Sequence, residues 1–157
     1  METACIQTPL GTCAITGDAD GVSVIHVLDV AQPVSKKIPQ TLKEAVSQIN
    51  EYFSGKRTTF TFQINPSGTE FQKAVWQELL KIPFGKTVSY MDITKKLGDV
   101  KAIRAVASAN GRNPLWIVVP CHRVIGSDGS LTGYAGGLWR KKWLLEHENP
   151  PTQQALF

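Results

Sequence analysis

The chain has 157 residues, 42% of them hydrophobic and 19% charged, with a formal net charge of +4. That is enough for one or two small domains with apolar cores, and no apolar stretch reaches the length of a membrane span. Three cysteines without repeated spacing argue against a disulfide framework and for a reducing compartment, and the absence of a basic-then-apolar leader at Met1-Glu2-Thr3-Ala4 makes a cytoplasmic protein the expectation, nuclear in a eukaryote.

Residues 6–8, 12–16 and 22–28 are short runs separated by Pro9-Leu10-Gly11 and Gly17-Asp18-Ala19-Asp20-Gly21, whose turn chemistry predicts an antiparallel meander. Thr41 with Glu44 has the form of a capping box, and Leu42, Val46, Ile49 and Phe53 recur at helical spacing before Gly55 stops the helix. Residues 58–64 read as a returning strand with Phe60 and Phe62 on one face. Cys5, Cys13 and His26 match no compact zinc pattern and a fourth ligand is missing, so no metal and no other cofactor is expected. Asn65-Pro66-Ser67-Gly68 is the best linker, dividing the chain into domains at 1–65 and 66–157.

The second half reads as helical. Thr69 with Gln72 suggests another capping box, and Phe71, Val75, Trp76, Leu79 and Leu80 give a wide apolar stripe. A second helix is expected from Ser89 to Gly98 and a third over residues 100–110, ending at Gly111, which together make a helix-turn-helix. The third helix is rich in small residues around a single arginine, Arg104. Two readings stand: a helix that fits closely into a DNA groove with Arg104 reaching into the duplex and Lys101 toward phosphate, or an alanine-rich helix packed in a core.

The run Leu115-Trp116-Ile117-Val118-Val119 reads as a buried strand, ended by Pro120 and followed by Cys121-His122-Arg123-Val124. A thiolate is a strong nucleophile whose population rises beside an imidazole or a positive charge, so Cys-His-Arg in tandem points to chemistry. Taken alone, a strand-end cysteine is also a common core filler.

Residues 71–148 resemble the O6-alkylguanine DNA alkyltransferases. The resemblance is carried by Val88-Ser89-Tyr90, Arg104-Ala105-Val106, Gly111-Arg112-Asn113-Pro114, the Pro-Cys-His-Arg-Val segment, Gly133-Tyr134-Ala135-Gly136-Gly137 and Leu144-Leu145-Glu146-His147-Glu148. It implies an α+β protein, with an N-terminal ribonuclease-H-like α/β domain followed by a winged helix-turn-helix-like, mostly helical domain. The implied activity is a single-turnover DNA repair reaction moving a methyl or small alkyl group from O6 of guanine, and from O4 of thymine, irreversibly onto Cys121. The implied partner is double-stranded DNA containing O6-alkylguanine, met by a monomer that needs no membrane.

By the same resemblance His122 is the base that takes the thiol proton through a water, Glu148 orients His122, and Tyr90 donates toward the leaving guanine. Asn113 is the hinge tying the recognition helix to the active-site loop. Val124 and Ala135 present backbone groups to the guanine edge, and Tyr134 lines the alkyl pocket. Lys101, Ala102, Arg104, Ala105, Tyr90 and Ser127 form the DNA-binding set, with Arg104 filling the gap left by the extruded nucleotide. Arg123 is expected in a structural ion pair. Trp116 falls where relatives that accept large alkyl groups carry a smaller residue, which makes it a wall of the alkyl pocket. Strand alternation, in contrast, puts it on the face opposite Cys121, as a core residue.

Three competing functions are weighed against this one. A lesion-binding protein of the alkyltransferase-like kind lacks the acceptor cysteine that is present here. A cysteine hydrolase would need an oxyanion-hole motif before the cysteine and would leave the helix-turn-helix idle. An alkylation-sensing transcription regulator is disfavoured because the four-cysteine phosphotriester-acceptor domain of some fused relatives is not expected here and little chain is left to recruit a polymerase.

Overall fold

A computed structural model describes residues 1–131, 134 and 137–150. The chain forms two compact units, the first made of Met1–Thr69 with Pro114–Val118, the second of the rest from Glu70. The chain therefore leaves the second unit after Asn113 and re-enters it at Val119.

In the first unit β1 (Glu2–Thr8), β2 (Gly11–Asp18) and β3 (Gly21–Val27) form the expected antiparallel meander, in the order β1-β2-β3. Alternation on β1 buries Ala4, Ile6 and Thr8, and the central β2 is buried on both faces from Thr12 to Ile15. A bulge at Thr16/Gly17 brings the β2 backbone against β3 so tightly that a Cβ on Gly17 would stand 2.7 Å from the Gly21 carbonyl oxygen. The helix α1 (Lys43–Phe53) packs on β1 and buries Ala45, Val46, Ile49 and Tyr52.

Three local expectations change here. Thr41 does not cap α1: its hydroxyl donates to the Glu2 carboxylate at 2.9 Å, and a 3-10 turn, Gln40–Leu42, opens the helix instead. Residues 58–64 form no full strand, because their polar backbone is met mostly by side chains. Gln48 receives the Thr61 N–H and donates to its hydroxyl, and only Ile64 bridges in parallel to Val22. The run 115–119 is buried as expected but is not a strand. Leu115 alone bridges to Ile25, after which the chain turns.

That turn is tight. Val118 N–H donates to the Trp116 carbonyl at 2.9 Å around Ile117, whose φ is +73°, so residues 116–118 form the γ-turn that demands positive φ at its centre. For a β-branched residue this is a strained conformation costing on the order of 1–3 kcal/mol. Burial of Ile117, 1% exposed, offsets it, since enclosing such a side chain contributes about 1.5–3 kcal/mol.

The second unit packs α2 (Glu70–Leu79), α3 (Tyr90–Lys96) and α4 (Ile103–Gly111) against one another. The stripe on α2 is narrower than its sequence suggests: Val75, Trp76 and Leu79 are buried, whereas Phe71 and Leu80 are exposed. The Trp76 indole N–H donates to the Ala109 carbonyl at 2.9 Å, tying α2 to α4. Ser89 caps α3 in a full capping box with Asp92, and Asp99 accepts the Lys101 N–H to open the 3-10 turn Val100–Ala102 that leads into α4. Gly98, at φ +91°, makes the reversal between α3 and α4, giving the helix-turn-helix. A short parallel pair, β4 (Val88–Ser89) with β5 (Val124–Ile125), and the last helix α5 (Leu138–Glu148) complete the unit.

Candidate active site

The end of α4 holds the loop that carries Cys121. Asn113, just beyond α4, donates from Nδ2 to the Val119 carbonyl at 2.7 Å. Cys121 N–H donates to the same carbonyl at 2.8 Å across Pro120, whose φ of −80° and ψ of 64° define an inverse γ-turn. The chain then enters a single 3-10 turn, Cys121–Arg123, closed by Arg123 N–H on the Pro120 carbonyl at 3.0 Å. A proline preset to this φ and lacking an N–H suits such a corner.

Cys121, His122 and Arg123 are all buried. His122 Nε2 lies 2.7 Å from Glu148 Oε2, and Arg123 grips the same carboxylate with Nε to Oε1 at 2.7 Å and Nη2 to Oε2 at 2.9 Å. Its Nη1 donates to the Ile82 carbonyl at 2.7 Å, so Arg123 sits in an ion pair, as expected. Burial alone would raise the Glu148 carboxyl pKa, but hydrogen bonds from His122 and Arg123 outweigh it and hold the group well below the usual carboxylate range. Burial pushes the His122 ring down despite Glu148, so the imidazole is neutral at pH 7. With an ionised carboxylate at Nε2, the proton of that neutral ring belongs on Nε2, which leaves Nδ1 as an acceptor.

Burial also raises the Cys121 thiol, opposed by the Asn113 side chain, the Lys141 charge, its own backbone N–H and the Tyr134 hydroxyl. The thiol is therefore neutral at pH 7 and needs a base, while the donors that would hold a thiolate are already in place. Lys141 is fully buried, donates to the Val124 carbonyl at 2.7 Å and stands 5.9 Å from the Tyr90 ring centroid. Burial disfavours the charged ammonium and an anion at Cys121 favours it, so Lys141 and a Cys121 thiolate stabilise each other.

The cluster thus unites buried Cys121, His122, Glu148 and Val124 with half-buried Asn113, Tyr134 and Tyr90. Arg104 and Ala105 form an exposed face of α4 with Ala107 and Ser108, Lys101 is exposed in the 3-10 turn before it, and Val106, Ala109 and Asn110 face inward. The small residues of α4 therefore line its open side, against the core-helix reading. Ala102 is half-buried, and Ser127 is exposed in the turn closed by Gly126 N–H on the Ser130 carbonyl. Trp116 belongs to the first unit, where it is buried against Phe53 with ring centroids 6.1 Å apart. Ala135 lies outside the described residues.

Two members were missed in the sequence, Lys141 and Asn110. Lys141, Leu144 and Glu148 follow one another at steps of three and four, which puts Lys141 on one helix face with Glu148 and is its signal in the sequence. Asn110 stands four residues after buried Val106 on the inward face of α4.

Residues 1–66 match the domain family described as 6-O-methylguanine DNA methyltransferase, ribonuclease-like domain, and residues 70–150 match 6-O-methylguanine DNA methyltransferase, DNA binding domain. A methylated-DNA--protein-cysteine methyltransferase of Methanosarcina acetivorans is 41% identical over 94% of this chain and 98% of its own. One from Mycobacterium tuberculosis is 42% identical over 97% and 96%. The fold agrees with the crystal structure of the M. tuberculosis O6-methylguanine methyltransferase, with a TM-score of 0.84 at 41% identity over 99% of this chain and 98% of that one. It agrees equally with the M. tuberculosis OGT in complex with DNA, with a TM-score of 0.86 at 42% identity over 94% and 92%. On the strength of both domain matches and these near full-length relatives, the chain belongs to the 6-O-methylguanine DNA methyltransferase family.

Proposed function

We propose that this protein repairs DNA by moving a methyl or small alkyl group from O6 of guanine, and from O4 of thymine, onto Cys121 in a single irreversible turnover, acting as a cytoplasmic monomer. The observation that carries the reading is the environment of Cys121: a buried thiol flanked by Asn113, Tyr134 and Lys141 and followed directly by a His122–Glu148 pair. In a chain of this family such an arrangement suits a nucleophile and not a packing residue.

The steps follow from these residues. Double-stranded DNA meets the exposed face of α4 and the turn before it through Arg104, Ala105, Lys101 and Ala102, with Ser127 contributing from its own turn. Extruding the damaged nucleotide costs a few kcal/mol of stacking and pairing, which Arg104 offsets by occupying the gap. The flipped base is read by the backbone at Val124 and Ala135, and its alkyl group lies against Tyr134. His122, with Glu148 holding its Nε2–H, takes the thiol proton at Nδ1 through a water. The Cys121 thiolate attacks the alkyl carbon, the S–C bond forms as the C–O6 bond breaks, and guanine leaves with the negative charge. Tyr90 supplies a hydrogen bond or proton to the leaving purine, and Lys141 balances the thiolate before transfer. The thioether product has no leaving group that water could displace, so the protein acts once.

Mass spectrometry after incubation with duplexes that contain or lack O6-methylguanine tests the reading. One added methyl is expected, on the Cys121 peptide alone and only with the methylated duplex. Turnover beyond one methyl per chain, or a methyl on another residue, would overturn it.

A further inference from the structure

Asn110 is an uncomfortable residue for its position. It sits in the last turn of α4 and is 2% exposed, although asparagine favours helices weakly and a buried amide needs partners for each of its polar atoms. Its Nδ2 reaches the Cys121 carbonyl, at a long 3.5 Å, so the amide lies against the peptide that joins Cys121 to His122. Turning the amide over would set oxygen against that carbonyl oxygen, which fixes Oδ1 on the other side. Oδ1 is buried with no protein partner among the described residues, and the same holds for His122 Nδ1.

Both residues adjoin one peptide, Asn110 through its contact with the Cys121 carbonyl and His122 as the residue that peptide leads into, and each carries a buried acceptor, since the neutral His122 ring commits its proton to Glu148 and leaves a lone pair at Nδ1. A group that satisfied both would have to donate twice, and water is the smallest that can. A water donating one O–H to Asn110 Oδ1 and the other to His122 Nδ1 has only lone pairs left to offer. Those lone pairs are free to accept the Cys121 S–H.

We propose that Asn110 is a positioning residue for the proposed alkyl transfer, one that orients the relay water so that its lone pair faces Cys121 and its proton faces His122. Proton flow then has one direction. The Cys121 S–H proton passes to the water oxygen, the water proton held toward His122 passes to Nδ1, and thiolate and imidazolium result with water regenerated. The O–H on Asn110 does not move, because an amide oxygen is too weak a base to take it. Without Asn110 the water can rotate an O–H toward sulfur, which serves a formed thiolate but not its formation. This role for Asn110 rests on the transferase reading given above.

The test uses full-length protein and a duplex containing O6-methylguanine. Asn110→Leu keeps the side-chain volume without the acceptor, and Asn110→Ala serves as a second variant that avoids any clash; far-UV circular dichroism and fluorescence anisotropy with unmethylated duplex report fold and DNA binding. Both variants are expected to bind DNA as wild type does and to lose roughly tenfold or more in the single-turnover methyl-transfer rate, within what general-base assistance contributes. The rising limb of the pH–rate profile should move to higher pH. In a His122→Ala background the same substitutions should cost little further, because a relay without its acceptor has nothing to lose. An unchanged pH profile, or losses that multiply fully with His122→Ala, would overturn the role of Asn110. Absence of a methyl on wild-type Cys121 would instead overturn the transferase reading.

Discussion

Cys13 and Cys121 are both buried, one in each unit, and their surroundings differ in kind. Cys13 lies in the middle of β2 among Ile6, Ile15 and Val27, and burial, with a smaller contribution from Cys5, pushes its thiol up to about 12. Cys121 is raised too, but Asn113, Lys141, its own N–H and Tyr134 all pull the other way. Burial by itself silences a thiol, and donors arranged around it make the same burial useful, because a charge–donor attraction is stronger in a medium that excludes water. The contrast extends to the units. The first is closed by apolar side chains, with its polar backbone met by Gln48 and Ser35, whereas the second buries His122, Arg123, Arg140, Lys141 and Glu148.

The sharpest break of this comparison is to exchange the fates of the two thiols. Cys121→Ala should abolish methyl transfer while DNA binding persists. Cys13→Ser should leave the transfer rate within about twofold per folded molecule, although it costs stability by burying a hydroxyl, about 1–3 kcal/mol if unpaired. A single-turnover assay with labelled O6-methylguanine duplex separates the two, and methyl transfer by the Cys121→Ala protein would end the argument.

Next in size comes the carboxylate that binds the polar cluster together. Glu148→Gln leaves Arg123 buried without its counter-charge, for which about 3–5 kcal/mol of stability is expected to be lost. The transfer rate should also drop by roughly a hundredfold, the lower range of general-base assistance. Urea midpoints and rates measured on the same preparations decide it. Lost stability with an unchanged rate per folded molecule would make Glu148 a structural anchor only.

Trp116 probes the apolar unit. Its indole packs on Phe53 and its Nε1 has no partner among the described residues, so Trp116→Ala should cost about 3–5 kcal/mol, while Trp116→Phe should cost much less by removing an unsatisfied N–H along with the volume. If the residue also walls the alkyl pocket, as the sequence resemblance implies, transfer from O6-benzylguanine should accelerate in Trp116→Ala relative to methyl transfer. An unchanged benzyl-to-methyl ratio would leave Trp116 with its packing role alone.

A smaller effect is expected on the open side of α4. Arg104→Ala should slow repair of duplex DNA by roughly tenfold, a part of the few kcal/mol that base extrusion costs, and leave reaction with free O6-methylguanine unaffected. Equal slowing on both substrates would mean that Arg104 acts on the thiol or the fold.

How far the sequence foretells these regions depends on whether a local pattern or a distant partner decides the structure. The meander, α3 with its Ser89–Asp92 box and the Gly98 reversal are legible because turn residues, caps and periodicity agree there. The run 115–119 misleads because its β-branched residues are buried, which is all that composition conveys. The fold uses them in a γ-turn around Ile117, a strained form that only surrounding packing can hold. Thr41 misleads in the same way, its hydroxyl taken by Glu2 from the far end of the unit. In the site, the Cys-His pair is visible because it is contiguous, and Glu148 through the resemblance. Asn110 is not visible and Lys141 only through its spacing with Leu144 and Glu148, since lysine and asparagine on helices are ordinarily solvated and the assembled unit turns them inward.

The smallest expected effect is on stability against pH, and it distinguishes the units without mutation. His122 is buried neutral with its ring pKa below the ordinary 6.5, so the unfolded chain binds a proton there that the folded chain refuses. The contribution is fully present above pH 6.5 and is lost as pH falls through the depressed value. Glu148 acts with the same sign further down, below the ordinary 4.5, because the unfolded chain protonates a carboxyl that the fold keeps ionised. The two thiols act on the other flank: with pKa values raised above the ordinary 9.0, Cys13 and Cys121 contribute stability that is lost as pH climbs past that value. Stability should therefore fall below about pH 6.5 and, on the alkaline side, fall past about 9, where Lys141, its own pKa lowered by burial, offsets part of the loss. The acid fall comes from the second unit and the alkaline fall from both, so Cys13→Ser should soften only the alkaline one. Urea midpoints at pH 5.5, 7.5 and 9.5 test this, and a midpoint as high at 5.5 as at 7.5 would mean that folded His122 takes up its proton over this window as the unfolded chain does, so that burial does not hold the ring neutral at pH 5.5.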